Sequence, residues 1–467
     1  MRESDDRHRE TWTLGVTALA SFMVALDTLV LTSALATIGA TFDAPITMLQ
    51  WTVNAYNLSF AVLLLTGTAL GDRFGRRRMF AAGIAIFVLA SMACALSGGI
   101  VSLIAARSAQ GAGAALVIPL AMAILSSAFA REERARALGI FSGVTGLALI
   151  VGPAIGGFIT ESFGWRWIFW INCPIGLMLL AMVAARLRES FGPAVGLDMP
   201  GLGLVAAAAF AVVWGLLRGN GSGWTSAEVA TALAAGLLLT AAFVGWELRA
   251  DAPMVPMRLF RARALSSGVA ACFLLFGAMY GTLFLLPQFF QAAYHCGPFS
   301  AGLRLLPWTS TLFVTAPFAG AAVNRVGERP LVVTGLLMQA IGLGWMAMIV
   351  GSGAAYSTVI APLVLSGVGV SVAMPAMQNC VLSSVAVVEM GKASGVFNMG
   401  RFLGGVFGVA LLVAVFSADA SHSSGNFSGG FAAAAKVAAT LSLLGAIAGL
   451  WLPARRRPKA VQIPQNA

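Results

Sequence analysis

Charge is scarce in this sequence. Of 467 residues only 10% are Asp, Glu, Lys or Arg, against about 25% in an ordinary soluble domain, while 59% are hydrophobic. A water-soluble fold of this length needs a polar shell that 29 basic and 18 acidic residues cannot furnish, which excludes a soluble enzyme and leaves lipid as the solvent the composition fits. The mean hydropathy of +0.87 points the same way. Cysteine is sparse too. Cys94, Cys173, Cys272, Cys296 and Cys380 are scattered with no C-x-x-C, so neither a disulfide framework nor a zinc site is indicated. His8, His295 and His422 fall in a tail and in loops and read as solvated side chains. No paired acids and no histidine cluster lie within an apolar stretch, as a multi-span membrane enzyme would require. The loops are too short to hold the sensor domain of a receptor.

What the chain has in quantity is apolar runs. A transmembrane helix takes about 20 mostly apolar residues, and such stretches occur at 12–38, 49–70, 79–97, 100–126, 137–160, 165–185, 200–218, 227–247, 264–290, 299–322, 331–350, 357–378, 391–416 and 431–452. Long continuous runs rather than short alternating ones argue for helices and against a barrel. The charged first ten residues lead straight into the first span, which reads as retained rather than as a signal peptide.

The net charge of +11 would suggest a polyanion partner in a soluble chain. Here 23 of the 29 basic residues fall on alternate loops. They are Arg2, Arg7 and Arg9; Arg73, Arg76, Arg77 and Arg78; Arg131, Arg134 and Arg136; Arg186 and Arg188; Arg249, Arg258, Arg261 and Arg263; Arg325 and Arg329; Lys392; and Arg455, Arg456, Arg457 and Lys459. The opposite loops hold Arg166 and Arg218 and little else. This asymmetry places both termini in the cytoplasm and makes the span count even. Fourteen fits, and so would twelve if 200–218 and 227–247 did not cross. No nucleic-acid surface is needed to explain the charge.

The sequence repeats itself. Gly111, Gly113 and Pro119 in QGAGAALVIPLAM match Gly367, Gly369 and Pro375 in SGVGVSVAMPAMQ at an offset of 256, and the match continues through Glu133 and Glu389, Arg136 and Lys392, Gly139 and Gly395, Phe141 and Phe397, and Gly152 and Gly408. A repeat carried over eight helices keeps its orientation in the membrane. That is the mark of two six-helix bundles about an axis along the membrane normal, a transporter arrangement. The bundles are then 1–190 and 264–467, with two additional helices and a linker in 191–263.

Charge inside a span costs about 2.5–3.5 kcal/mol near a helix centre on insertion scales, so its exceptions carry information. Asp27, in ASFMVALDTLVL, is the one carboxylate well inside a span; such a group binds and releases a proton as its surroundings alternate between wet and dry, and it is the expected proton-coupling site. Arg107 and Arg401 also lie deep in spans, with Arg304 near the outer end of its helix, where it could simply snorkel. A switchable contact between Arg107 and Asp27 is expected. The loop GDRFGRRR at 71–78 combines Asp72, Arg73, Gly75, Arg76 and Arg77 in a candidate cytoplasmic gate, with a weakened copy at 324–329 in which Asn324 replaces the aspartate. In GPAIGG, Pro153 bends a helix while Gly152, Gly156 and Gly157 admit a close neighbour; packed against the other half, this bend would restrict proton leak. Asn54, Tyr56, Asn57, Phe276, Tyr280, Asn398 and Arg401 are candidates to line a substrate cavity.

Taken together, these motifs resemble the major facilitator superfamily, specifically its 14-helix drug:proton antiporter family, over essentially the whole chain. Asp27 within ALDTLVLTSAL resembles that family's helix 1 acidic motif, GDRFGRRR its gate motif, RSAQGAGAA from Arg107 its proton-transfer motif, and GPAIGG its antiporter motif. WRWIFWINCPIG and SGVFNMGRFLGG are also typical. Thr68 stands where the gate motif usually has glycine and Ala34 where asparagine or valine is frequent. The resemblance implies an all-α polytopic membrane protein: two six-helix bundles of the major facilitator fold plus two extra central helices, 14 transmembrane helices in all. It implies a monomer in the bacterial inner membrane that exports a lipophilic compound against protons, with no cofactor beyond the proton gradient and no nucleic-acid partner. A metabolite exporter, importer or uniporter is the alternative within transport. The second half lacks the extra carboxylates of organic-cation exporters, and Arg304 and Arg401 without a nearby membrane acid favour neutral or anionic lipophilic substrates.

Overall fold

In lipid every backbone N–H and C=O must be paired within its own segment, which leaves apolar stretches of this length no alternative to helix. The computed structural model describes residues 2–129, 131–192, 196, 198–350, 355–385, 389–422 and 427–453. The helices in order are α1 (Arg2–Phe42), α2 (Ile46–Phe74), α3 (Arg76–Ala95), α4 (Ile100–Ala128), α5 (Arg131–Phe163), α6 (Trp167–Trp170), α7 (Asn172–Arg186), α8 (Met199–Ser222), α9 (Ala227–Glu247), α10 (Arg263–Ala293), α11 (Pro298–Leu303), α12 (Leu306–Val326), α13 (Glu328–Val350), α14 (Tyr356–Ser383), α15 (Met390–His422) and α16 (Phe427–Leu450), with a short 3-10 turn at Met257–Arg261. Each of the fourteen predicted spans coincides with a helix or a pair of helices. Two spans are interrupted, as α6 and α7 and as α11 and α12. Each break precedes a proline in the first turn of the second piece, Pro174 and Pro307, where a missing N–H costs least. Among the described residues thirteen helices are long and apolar enough to cross a membrane, and the 21-residue α12 occupies the remaining predicted place. The arginines and lysine at 455–459 and the side chains of His8, His422 and Asn324 lie outside the described residues.

Burial in lipid gives helices little reason to associate, so close backbone approach at small residues holds the bundle together. The repeat is visible in that packing. In the first half α1 packs on α5, α2 and α3 on α4, and α3 on α7; in the second, α10 packs on α15, α12 and α13 on α14, and α13 on α16. A side chain at Gly111 would strike the Tyr56 backbone on α2, and one at Gly367 would strike Trp308 on α12. Gly113 faces Gly83 and Phe87, and Gly369 faces Gly335 and Gln339. These contacted positions on the other helices are 252 apart rather than 256, so four residues enter the second copy between α13 and α14. Gly75 (φ 105°) and Gly327 (φ 94°) turn the chain at matching points before α3 and α13, in a left-handed region that a side chain would strain.

The two halves meet along α2 against α15 and along α5 against α11 and α12. The extra pair is asymmetric. α8 leans on α2 and α15, across the seam between the halves, whereas α9 packs chiefly on α8 and presents Leu237 and Leu238 outward. With Phe318 and Met348 these belong to an exposed apolar belt, the surface a membrane-embedded bundle shows to lipid.

Candidate functional site

Asp27 and Arg107 touch. Arg107 on α4 donates from Nη1 to Asp27 Oδ2 on α1 at 2.5 Å, and both side chains are sealed from solvent. Arg107 also donates from Nη1 to Gln110 Oε1 (2.6 Å) and from Nε to the Thr52 carbonyl of α2 (3.1 Å). The second carboxylate oxygen accepts from Gln110 Nε2 and from Asn172 Nδ2, each at 2.8 Å. Ser91 Oγ on α3 accepts from Gln110 (2.8 Å) and from Asn172 (3.3 Å). The carboxylate thus faces three protein donors from two helices. A buried carboxylate is tolerated at this depth only when its oxygens are hydrogen-bonded, and these three donors meet that need.

Gln110, Asn172 and Ser91 were not singled out from the sequence. Gln110 lies three residues beyond Arg107, on the same helix face, within the quoted RSAQGAGAA. Asn172 is a polar residue set among apolar neighbours in WRWIFWINCPIG, six positions beyond Arg166, a signal of the same kind as Asp27.

Tyr56 stands between this network and a cavity. Its ring lies 4.3 Å from the Arg107 guanidinium carbon, and it also lines a cavity of about 560 Å³ between the halves. Thr28, one residue beyond Asp27, lines the same space, as do Phe60, Tyr280, Asn398, Arg401 and Phe402. The cavity extends to Asp72, Asp198, Met254 and Lys392, and so opens toward the basic-loop face. Three expectations need correction here. Asn54, Asn57 and Phe276 are buried in the helix packing and do not line this cavity. Asn54 and Asn57 follow the helical turn of α2 onto a packed face, and Phe276 lies beneath the Arg401 guanidinium at 4.6 Å. Arg304 is elsewhere, stacked over Tyr294 (4.8 Å) and Tyr356 (5.2 Å).

The opposite end is shut. Gly157 of α5 abuts the backbone of Pro298 on α11, and Gly302 of α11 abuts that of Pro153. Glu161 accepts from the Phe299 N–H (3.0 Å), and Gln291 of α10 donates to the Ser33 carbonyl of α1 (3.2 Å). On its other face α5 receives α1, where Gly152 meets Leu29 and Gly156 meets the Val30 backbone, and Ser33 donates to the Pro153 carbonyl at 2.8 Å. All four motif residues therefore serve packing, and Pro153 and Gly157 do so across the seam. Gly157→Val should force α5 off α11 and raise passive proton leak through proteoliposomes severalfold, read with an entrapped pH dye. Gly143→Ala, whose added methyl meets nothing, should leave the leak unchanged. Overpacking of this kind also costs about 1–3 kcal/mol.

The loop at 71–78 finds its partners in its own half and at the start of the linker. Asp72 accepts from Arg76 Nε at 2.8 Å, and its carbonyl accepts from the Gly192 N–H. Glu189, in the segment after α7, accepts from the Arg77 and Arg78 N–H groups (2.8 and 3.3 Å), an anion on the exposed donors that start α3. Arg77 donates from its side chain to the Leu187 carbonyl, and Arg73 lies over Phe74. None of these contacts crosses to the second half, which accords with a cavity open on this side. Glu189 had no sequence signal: it is one acid in an irregular stretch.

The family model described as the Major Facilitator Superfamily matches residues 17–409 and 269–467. The multidrug resistance protein Stp of Mycobacterium tuberculosis (strain CDC 1551 / Oshkosh) is 34% identical over 408 residues, 87% of this chain and 76% of its own. The cephamycin export protein CmcT of Amycolatopsis lactamdurans is 35% identical over 419 residues, 88% of this chain and 86% of its own. Among solved structures, that of an auto-inhibited POT family peptide transporter superposes with a TM-score of 0.72 at 16% identity, covering 96% of this chain and 98% of that one. At that identity the likeness concerns the fold.

Proposed function

The chain belongs to the Major Facilitator Superfamily, and from that premise we propose that it is a proton-coupled exporter of lipophilic drugs or antibiotics, working by alternating access in a bacterial inner membrane with both termini cytoplasmic. The observation that carries this reading is the sealed Asp27–Arg107 pair directly behind Tyr56, a wall of the cavity. Relatives at about one-third identity bear the names of multidrug resistance and antibiotic export proteins, which supports export over import.

The arrangement suits the stage at which the proton has left. Asp27 is paired with Arg107, the cavity faces the cytoplasm, and a substrate enters past Asp72 and Lys392. When the halves rock and the outer side opens, Arg107 withdraws and Asp27 takes a proton from outside. Neutralising Asp27 removes the partner that held Arg107 under Tyr56, so the cavity wall and the proton site change together. Return to the inward-facing form re-forms the pair and expels the proton inward. The gate at Asp72 closes the cytoplasmic side in the other half of the cycle, and GPAIGG keeps protons from leaking in this one.

The test is transport by the purified chain in proteoliposomes against a panel of lipophilic antibiotics and dyes. Export should require an imposed proton gradient and should acidify the compartment the substrate leaves. Export that persists at full rate without a gradient would remove the coupling, and exclusive transport of one small metabolite would favour the alternative reading.

A further inference from the structure

Charges lining the cavity differ in how far they are satisfied. Asp72 is engaged by Arg76. Asp198 accepts from the Gly201 N–H (2.8 Å), the Trp246 indole (2.7 Å) and the Met254 N–H (3.4 Å). Arg401 has no such company. It lies eleven residues into α15, and among the described residues no carboxylate is within 4.0 Å of it. Its Nε is buried with no hydrogen-bond partner. What surrounds the guanidinium is aromatic: Phe276 at 4.6 Å and Phe402 at 5.4 Å. Phe402 continues the aromatic wall through Phe60 (centroids 4.2 Å apart) to Tyr56 (6.4 Å from Phe60).

Ring faces offset part of the cost of a cation at lipid depth, but they leave its N–H donors unmet. The contrast with Arg107 is informative, since that buried guanidinium is paired with an acid and two further acceptors. A charged fork pointing into a space of drug size, with no acid of its own, is completed by an anion brought from outside.

We propose that Arg401 is the anion-binding point of the cavity, taking the carboxylate, phenolate or enolate of an amphiphilic aromatic compound whose rings lie along Phe402, Phe60 and Tyr56. This rests on the export reading for its biological sense and sharpens it: the preferred substrates are acidic, not cationic. Lys392 at the cavity mouth draws the same class of compound inward.

The test measures binding to the full-length chain in nanodiscs, with empty nanodiscs as blank. The probes are 1-pyrenebutyrate and its neutral amide, alike in size and ring system. The parent chain should bind the carboxylate about tenfold or more tightly than the amide, as expected for a charge-assisted pair in a low-dielectric site. Arg401→Gln should bind both with the affinity of the amide, and unchanged amide binding shows that this variant is folded. Arg401→Lys keeps the charge but not the fork, and should retain part of the preference. Equal affinities in the parent, failure to bind the carboxylate, or a preference that survives Arg401→Gln would overturn the proposal. Gradient-driven export is measured separately in proteoliposomes. A carboxylate preference without export sinks the export reading and leaves the site standing, whereas export without any carboxylate preference does the reverse.

Discussion

Asp27→Asn should abolish gradient-driven export while leaving substrate binding in place. Asparagine keeps the shape of the side chain and one carbonyl oxygen for the donors of Gln110 and Asn172, yet it cannot carry a proton on and off. Asp27 does not line the cavity, so the substitution removes no direct contact to the ligand and reaches the cavity wall only through Arg107 and Tyr56. Concentrative efflux should therefore fall by about tenfold or more, to the level of an empty liposome, because a transporter that has lost its ion can only equilibrate its substrate. Equilibrium binding of a transported dye should stay within about threefold of the parent, since only contacts remote from the ligand change. Asp27→Glu retains the titrating group but pushes it by one methylene into a packed network, and should recover a fraction of the activity. Measured side by side in proteoliposomes, gradient-dependent export by Asp27→Asn would refute the coupling role outright.

How much of this could be read in advance depends on whether each feature is fixed locally. The spans were legible because in lipid an apolar run of about 20 residues has one way to satisfy its backbone. The repeat was legible because close helix crossings demand glycine, and Gly111, Gly113, Gly367 and Gly369 meet the same kinds of neighbour in both halves. Asp27 and Arg107 stood out because charge at lipid depth is costly, and that cost is also why they are paired. Sequence alone hid what depends on side-chain direction and on distant segments. Asn54 and Asn57 lie on the same helix as Tyr56, but the helical turn carries them to another face. Glu189 reaches the start of α3 across more than a hundred residues. The aromatic wall from Tyr56 through Phe60 to Phe402 joins two halves whose spacing in the chain says nothing of contact.

The largest effect on stability is expected at Arg107. Arg107→Gln leaves the Asp27 carboxylate in a sealed site with its cation gone, and breaking a buried pair from one side costs about 3–5 kcal/mol, because the remaining charge has neither water nor a counter-ion. Asp27→Asn strands the Arg107 guanidinium in the same way, softened by the Gln110 and Thr52 oxygens it still faces and by the Tyr56 ring. The double variant Asp27→Asn with Arg107→Gln removes both charges together. Its loss should be smaller than the sum of the single losses by about 1–3 kcal/mol, the coupling energy expected of groups in direct contact. Thermal or denaturant unfolding of the three variants in one detergent measures this cycle. Transport separates the two roles of the pair: the double variant should regain stability over the Arg107 single variant yet stay unable to drive export from a proton gradient, because the group that carries the proton is gone. Strictly additive losses would mean that the 2.5 Å contact contributes nothing to the fold, and recovered export would mean that the proton travels elsewhere.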